Sequence, residues 1–200
     1  QSVVVFDYRN DEDEDRAIEE AEIAGFTITG GTGTLITETC NGETIEKYVG
    51  ARVFILNCNP SIVNNKFKSN GRDGLDGRKT THSGGAVFAM SDDDVDWRSG
   101  TNNQRSASYD CSNSANLDEE VILDLSNNEF TDNYAQYGKS IVVENNIGST
   151  RVLVDSSRFD VYSQSLQTVS SYWAAGNENV EFDFSDSQGD EDYYPGSSII

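Results

Sequence analysis

The chain has 200 residues, with 35 acidic against 14 basic side chains and a formal net charge of -21. This balance disfavours nucleic acid and anionic membranes as partners, and no stretch approaches the roughly 20 apolar residues of a membrane helix. The 17 Gly, 2 Pro and apolar residues in short runs predict one turn-rich, all-β domain over residues 1–200. Because the chain starts at Gln1 without a secretory segment, we expect a processed or trimmed chain.

The first predicted strand covers Ser2–Tyr8, which is rich in valine. Its Phe6–Asp11 segment has the same order of apolar and acidic residues as Leu123–Asn128 and Phe182–Ser187. We therefore expect the first strand to belong to a coil like the last one.

An acidic run, Asp11–Asp15, comes next, and a solvated turn is a better interpretation of it than a cation site. Apolar residues at helical spacing then predict a short helix over Arg16–Ala24. Alternating threonines predict strands at Thr27–Thr29 and Thr34–Thr37, which we interpret as ordinary strands because no threonine array recurs later.

The clearest feature of the sequence is a repeated order of strand, asparagine-rich corner and glycine turn. Phe67–Asn70 is followed by Gly84–Val87, and Phe130–Asn133 is followed by Gly138–Ile141. Weaker copies occur at Val152–Phe159 and Phe182–Gln188, the latter with Gly196–Ile199. Repeats of about 30 residues without helical periodicity predict a solenoid of roughly six or seven coils. Within it, Asn65 and Asn128 should turn into the corners and bond to the backbone.

The Phe-x-x-Asn element followed by Gly-Gly-Ala and an aliphatic residue resembles the repeats of the chlamydial polymorphic membrane proteins and related adhesin-like surface proteins. The copy at Phe67–Asn70 with Gly84–Val87 is full, and Gly138–Ile141 is degenerate. The resemblance implies a right-handed parallel β-helix exposed at a cell surface.

Two insertions interrupt the predicted solenoid, at about residues 71–83 and 91–120. The first is basic, with Arg72, Arg78 and Lys79, on an otherwise acidic chain. The second carries Asp92, Asp93 and Asp94, which are weak candidates for a calcium site because the spacing of an EF-hand is absent. Trp97 and Tyr109 in this insertion could stack on a sugar ring or anchor the loop.

Three cysteines leave the pairing open. Cys40 and Cys58 are about one coil apart, which favours a disulfide between them, with Cys111 left over. Three reduced thiols, or a bridge from Cys58 to Cys111, are the alternatives. Trp173, further along the chain, is predicted to occupy an outward turn or to plug an edge.

The sequence offers few catalytic candidates. Asp124, Asp155 and Asp183 alternate with apolar residues, which predicts an outward acidic stripe without a basic partner in register. His82 is the single histidine, and no nucleophile motif surrounds it.

These observations favour a non-catalytic, extracellular structural or adhesive protein that has no required cofactor. For its chain ends two alternatives are open, self-assembly head to tail or a monomeric piece of a longer solenoid. The residues expected to mediate assembly lie at the two uncapped chain ends or in the basic loop. They are Val3, Val4, Val5, Phe6, Ile199, Ile200, Arg72, Arg78 and Lys79. A polysaccharide lyase or hydrolase of the same fold is the first alternative, and a glycan- or calcium-binding module is the second.

Overall fold

The computed structural model describes residues 4–7, 21–40, 42–50, 52–56, 58–74, 80–91, 96–99, 105–110, 120–145, 149–159, 172–176 and 180–183. The regular structure in these ranges consists of strands, so the all-β prediction is confirmed there. The strands are β1 Val4–Asp7, β2 Glu22–Ala24, β3 Thr27–Thr29, β4 Thr34–Cys40, β5 Glu43–Val49, β6 Val53–Leu56, β7 Ser61–Val63, β8 Lys66–Lys68, β9 Thr81–Ser83, β10 Val87–Ser91, β11 Asp96–Ser99, β12 Arg105–Asp110, β13 Glu120–Asp124, β14 Glu129–Thr131, β15 Ile141–Asn145, β16 Ser149–Leu153, β17 Arg158–Phe159, β18 Tyr172–Gly176 and β19 Val180–Asp183.

Three of the four sheets are parallel, and their strands follow one another in chain order. Sheet 1 is β1-β6-β10-β15-β18, sheet 2 is β2-β7-β13-β16-β19, and sheet 3 is β3-β8-β14-β17. We use "level" for the strands that one passage of the chain adds to these sheets. Level 1 is β1–β3, level 2 is β6–β8, level 3 is β10, β13 and β14, level 4 is β15–β17, and level 5 is β18 and β19.

The register confirms the alignment of the sequence repeats in sheets 2 and 3. Phe67 pairs with Phe130, and Phe130 pairs with Phe159. Val152 pairs with Phe182, as the spacing of the last two copies predicts. Local sequence similarity thus reports true neighbours across the levels.

The inner core lies under these three sheets and is built from alternate strand residues. Phe67, Phe130 and Phe159 stack with nearly parallel rings, at centroid distances of 5.0 and 4.9 Å. Aliphatic residues from sheets 1 and 2, such as Val87 and Leu123, complete the same cluster. Alternation along each strand therefore sends one row of side chains inward and the next row outward.

A second core covers the outward face of sheet 1. Sheet 4, with the order β11-β12-β4-β5-β9, contains the antiparallel β4–β5 hairpin. Its Ile36 and Val49 cluster with Phe54, Phe88 and other outward residues of sheet 1, all of them buried. Sheet 1 is consequently apolar on both faces, which explains the unbroken apolar runs of β6 and β10.

Asparagine side chains join the levels at the corner between sheets 2 and 3. Asn65 accepts a hydrogen bond from the backbone N–H of Phe26 in the level below, at 3.0 Å. Asn128 accepts from the N–H of Asn65 at 2.8 Å and donates to the carbonyls of Ile62 and Leu125. The prediction that these buried amides bond to the backbone of the corners is confirmed.

A second asparagine ladder follows sheet 3. Asn70 accepts from the N–H of Gly31 and donates to the carbonyl of Ile28. Asn133 accepts from Asn70 and donates to the carbonyl of Phe67. The Asn of the Phe-x-x-Asn element is therefore a link between levels.

Each ladder residue follows a residue with left-handed backbone. Non-glycine residues take this conformation at Asn64, Ser69, Asn127, Asp132 and Ser156, with φ between 54° and 59°. Level 1 uses Gly25 and Gly30 in the equivalent places. Asparagine and aspartate tolerate this region better than other side chains, so the polar corners are needed for the turn itself.

The glycine element lies directly before strands β10 and β15 of sheet 1. Gly84 and Gly138 both have positive φ, and a Cβ at Gly85 would collide with the carbonyl oxygen of Lys139 in the next level. Close stacking of the backbone thus requires glycine at position 85.

Several predictions need correction. Residues Glu22–Ala24, the end of the predicted helix, form strand β2, which pairs with β7, and the rest of that helix lies outside the described residues. Phe6 pairs with Ile55 in sheet 1, whereas Phe182 lies in sheet 2, so the first strand is not equivalent to the last. The same order of apolar and acidic residues fits strands of either sheet, and only the strand pairing shows to which sheet a strand belongs.

Three further expectations can be compared with the described residues. The described strands form five levels, whereas the predicted six or seven coils concern the whole chain. Trp173 is on β18, an edge strand of sheet 1, opposite Val142, so it lies at an edge and not in a turn. The second insertion has regular structure of its own, since β11 and β12 pair with each other and β12 extends sheet 4 beside β4.

Candidate functional site

The two ends of the stack of levels are the candidate assembly sites. In each parallel sheet a level 1 strand lies at one edge and the last strand lies at the opposite edge. Of the predicted assembly residues, Val4 and Phe6 pack against the inner core and Val5 packs against the second core, all half-buried. The structure therefore brings these three to one edge of sheet 1, and Val3 lies outside the described residues.

The edge at β1 has a defined hydrogen-bonding polarity. The N–H of Val4 donates to the carbonyl of Arg52 at 3.1 Å, which directs the backbone of Val4 toward sheet 1. Because neighbouring residues of a strand direct their N–H groups to opposite sides, the N–H of Val5 faces away from β6. The described strands place no partner on that side of β1.

At the opposite end, β18 and β19 form level 5. Ile199 and Ile200, which were predicted to contribute there, lie outside the described residues, as do Arg78 and Lys79 of the basic loop. Arg72 is half-buried, and its backbone exchanges hydrogen bonds with Thr81 at 2.9 Å. Arg72 thus helps to close the base of the loop.

A buried ionic cluster, which the sequence analysis missed, lies between sheet 4 and sheet 1. The ammonium of Lys47 on β5 is 2.8 Å from Glu38 on β4 and 3.2 Å from Glu144 on β15, and only 8% of the Lys47 side chain is exposed. Burial lowers the pKa of Lys47, but the charge of Glu144 and the hydrogen bond and charge of Glu38 outweigh it, so the pKa lies above its ordinary value.

His82 lies near this cluster, on β9. Its Nδ1 is 2.6 Å from the hydroxyl oxygen of Ser83, and its ring contacts Tyr137 at a centroid distance of 4.9 Å. Burial and the charge of Lys47 lower the pKa of His82, against a smaller opposing effect of Glu38. The neighbouring Ser83 is fully buried, so its hydroxyl does not face solvent.

The three candidate catalytic carboxylates have structural partners. Asp124 accepts a hydrogen bond from the N–H of Ser126 at 3.0 Å, which closes a turn. Asp183 forms an ion pair with Arg151, so the predicted absence of a basic partner is wrong. Asp155 lies in the turn after β16, and its carbonyl accepts from Asn127.

The weak calcium candidates Asp92, Asp93 and Asp94 lie outside the described residues. Among the residues that are described, no group of three or more His, Cys, Asp or Glu could hold a metal ion. Within the same ranges, no helix has the length and apolarity to cross a membrane. Trp97 is opposite Ala107 in the β11–β12 hairpin, and Tyr109 pairs with Glu38 across sheet 4.

The cysteines occupy different parts of the fold. Cys40 ends β4 opposite Glu43 in sheet 4. Cys58 follows β6 and packs, half-buried, against the inner core. Cys111 lies outside the described residues, and the bridge from Cys40 to Cys58 stays a prediction.

Neither protein-family models nor curated proteins nor solved structures yield a match to this chain.

Proposed function

We propose that the chain is a right-handed parallel β-helix that serves as an extracellular structural or adhesive surface protein and assembles head to tail without catalysing a reaction. The fold part is supported by the chain-order pairing of three parallel sheets and by the asparagine ladders between levels. Right-handedness follows from the strong preference of crossovers between parallel strands. The surface location rests on the resemblance of the Phe-x-x-Asn and Gly-Gly-Ala elements.

The observation that carries the assembly proposal is the placement of first and last strands at opposite edges. β1 and β18 are the two edges of sheet 1, β2 and β19 those of sheet 2, and β3 and β17 those of sheet 3. The last strands of one molecule, β18 and β19 of level 5 and β17 of level 4, therefore offer the three sheet edges that the first level of another requires. Contact of this kind is heterologous and produces open filaments unless the rotation closes a ring.

The residue pairing expected at this contact differs from the sequence-based one. β1 of one copy would extend sheet 1 beyond β18 of the next, so Val4, Val5 and Phe6 meet the segment Tyr172–Gly176. In the proposal, Arg72, Arg78 and Lys79 attract acidic runs of the neighbour, an effect that salt weakens. Val3, Ile199 and Ile200 remain proposed members of the contact.

Substitution of Val5 by proline tests the contact at a single hydrogen-bonding group. Proline removes the N–H of Val5, which faces the free edge, while Val4 keeps its bond to Arg52. We expect filaments or oligomers, seen by negative-stain microscopy and light scattering, to disappear. The melting temperature should fall less than in Val4→Pro, because the loss within the molecule is confined to the half-buried contact of the Val5 side chain with the second core. Deletion of residues 1–8 should also abolish assembly.

Val4 to proline is the matched control, because it removes an N–H that bonds within the molecule. This variant should lower the melting temperature more than the Val5 variant does. If the Val5→Pro protein forms the same assemblies as the unsubstituted chain, or if the latter stays monomeric at high concentration, the head-to-tail proposal is wrong.

The non-catalytic part of the proposal is supported by the roles of the polar residues that a lyase or hydrolase would use. Asp124 accepts a hydrogen bond that closes a turn, and Asp183 forms an ion pair with Arg151. The hydroxyl oxygen of the buried Ser83 lies within hydrogen-bonding distance of His82 Nδ1. The lyase or hydrolase alternative would predict cleavage of acidic polysaccharides, which a reducing-end assay measures directly.

A further inference from the structure

Sheet 3 exposes a row of cations on its outward face. Lys66 pairs with Glu129 and Glu129 with Arg158, so the three lie side by side on neighbouring strands, while Lys68 follows Lys66 on the same face. The side chains of both lysines and of Arg158 are exposed, and the phenylalanines between them point into the inner core. We call Lys66, Lys68, Glu129 and Arg158 the basic strip.

One carboxylate in the strip faces three cations. Lys66 and Glu129 form an ion pair at 2.9 Å. The hydrogen bond from Lys66 and the charges of Lys66, Arg158 and Lys68 lower the pKa of Glu129. The formal charge of the strip is +2, that is, three cations less one carboxylate, on a chain of net charge -21. Because Glu129 neutralises only one of the three cations, the strip keeps a local excess of positive charge.

The fold does not require lysine at these positions. Thr27 of level 1 pairs with Lys66, and Thr29 pairs with Lys68. Level 3 has Thr131 opposite Lys68. Since threonine occupies the same outward positions in adjacent levels, the two lysines add charge to a sheet that forms without it.

The chain itself supplies a ligand with the complementary chemistry. Asp11–Asp15 is an unbroken run of five acidic residues. In extended conformation its alternate carboxylates would be about 6.8 Å apart, the same spacing as Lys66 and Lys68 along β8. Charge complementarity of this kind guides partner choice and association rate.

We propose that the basic strip binds the Asp11–Asp15 run of a second copy of this chain. The strip lies on the outward face of sheet 3 and reaches the edge strand β17 only with Arg158, so a contact on this face joins molecules side by side. This lateral contact adds to the head-to-tail assembly of the proposed function and rests on it only in taking a second copy as the partner.

The test measures binding of a fluorescent peptide of residues 10–16 to the Val5→Pro protein, by anisotropy at low and high salt. This host lacks the end-to-end contact, so the result does not depend on head-to-tail assembly. We expect binding at low salt, about tenfold weaker binding to a host with Lys66→Thr and Lys68→Thr, and loss of binding at high salt. The double variant copies level 1 and should fold.

Two further variants distinguish docking from sheet stabilisation. Glu129→Gln removes the one negative charge of the strip and should strengthen binding of the peptide, although it breaks an ion pair of the sheet. Arg151→Thr removes a cation from sheet 2 and should leave binding unchanged. Equal binding by the Lys66→Thr, Lys68→Thr host, weaker binding by Glu129→Gln, or binding of polygalacturonate but not of the peptide would each overturn the proposal.

Discussion

Sheets 1 and 3 are stacked in the same way but have different surroundings. In sheet 3 only the inward row is apolar, and the outward row carries the basic strip. In sheet 1 both rows are apolar, because the β4–β5 hairpin covers the outward row. The comparison teaches that apolar alternation in this chain reports a face open to solvent, whereas an unbroken apolar run reports a covered face.

The largest expected effect comes from the ring stack that anchors sheet 3. Phe130 is fully buried between Phe67 and Phe159. Phe130→Ala should lower the free energy of unfolding by about 3 to 5 kcal/mol, because it removes apolar contacts and leaves a cavity. Urea denaturation measures the loss. Phe159→Ala, at the half-buried end of the stack, is the comparison and should cost less.

The face of sheet 1 that the hairpin covers contains a buried ion pair between Lys47 and Glu144. Glu144→Ala leaves Lys47 with Glu38 alone and should destabilise the protein by about 3 kcal/mol. The double substitution Lys47→Met, Glu144→Leu removes both charges and should recover most of that loss in chemical denaturation. Failure of the double variant to recover would show that the ion pair itself stabilises the hairpin.

The same cluster predicts a pH dependence. The pKa of Lys47 in the folded protein lies above its ordinary value of 10.5, so the folded state holds this proton more tightly than the unfolded state. Its stabilising contribution is complete below pH 10.5 and is lost as the pH rises through the folded-state pKa. Melting curves should therefore show less destabilisation at alkaline pH in Lys47→Met than in the unsubstituted chain.

A smaller effect is expected at the corner between sheets 2 and 3. Asn128→Leu keeps the size of the side chain but leaves the N–H of Asn65 and the carbonyls of Ile62 and Leu125 without their amide partner. We expect a loss of about 1 to 3 kcal/mol in thermal or urea unfolding. An unchanged melting temperature would mean that the ladder does not stabilise the corner.

The last test concerns the disulfide connectivity of Cys40, which ends strand β4 of the hairpin. Thr39 pairs with Asp110 in parallel register, and the next residues along the two segments are Cys40 and Cys111. The pairing of Thr39 with Asp110 adds a bridge from Cys40 to Cys111 as a rival to the predicted bridge from Cys40 to Cys58. Non-reducing peptide mapping distinguishes the two, because Cys58→Ser should abolish a Cys40–Cys58 link and leave a Cys40–Cys111 link intact.

The sequence allowed the parallel stacking of sheets 2 and 3 to be predicted because their corners have a chemical requirement. Asn65 and Asn128 must bond to the level beside them, and the residues before them must take a left-handed backbone, so both leave a mark at a fixed spacing. The packing of the β4–β5 hairpin over sheet 1 could not be predicted from the sequence, because alternating threonines predict strands without indicating which sheet they cover. Lys47 was missed for this reason, since a lysine is ordinarily exposed.

The helix predicted over Arg16–Ala24 is wrong for the residues of that range that the structure describes. The cause is again a partner that is distant in the sequence. Ile23 and Ala24 fit a short helical pattern, but pairing of β2 with β7 decides their conformation. Strand propensity depends strongly on such neighbours. Three residues carry too little local information to reveal a partner almost 40 positions away.

The ring stack also has a kinetic consequence. Levels 2, 3 and 4 share the phenylalanine column, and the asparagine ladders connect levels 1, 2 and 3. In a linear array in which each unit is stabilised by its neighbours, folding starts where the coupling is strongest and spreads outward. We therefore expect amide hydrogens around Phe67 and Phe130, which take part in both the column and the ladders, to exchange last and those of the edge strand β1 to exchange early, so that the edge at β1 is completed late.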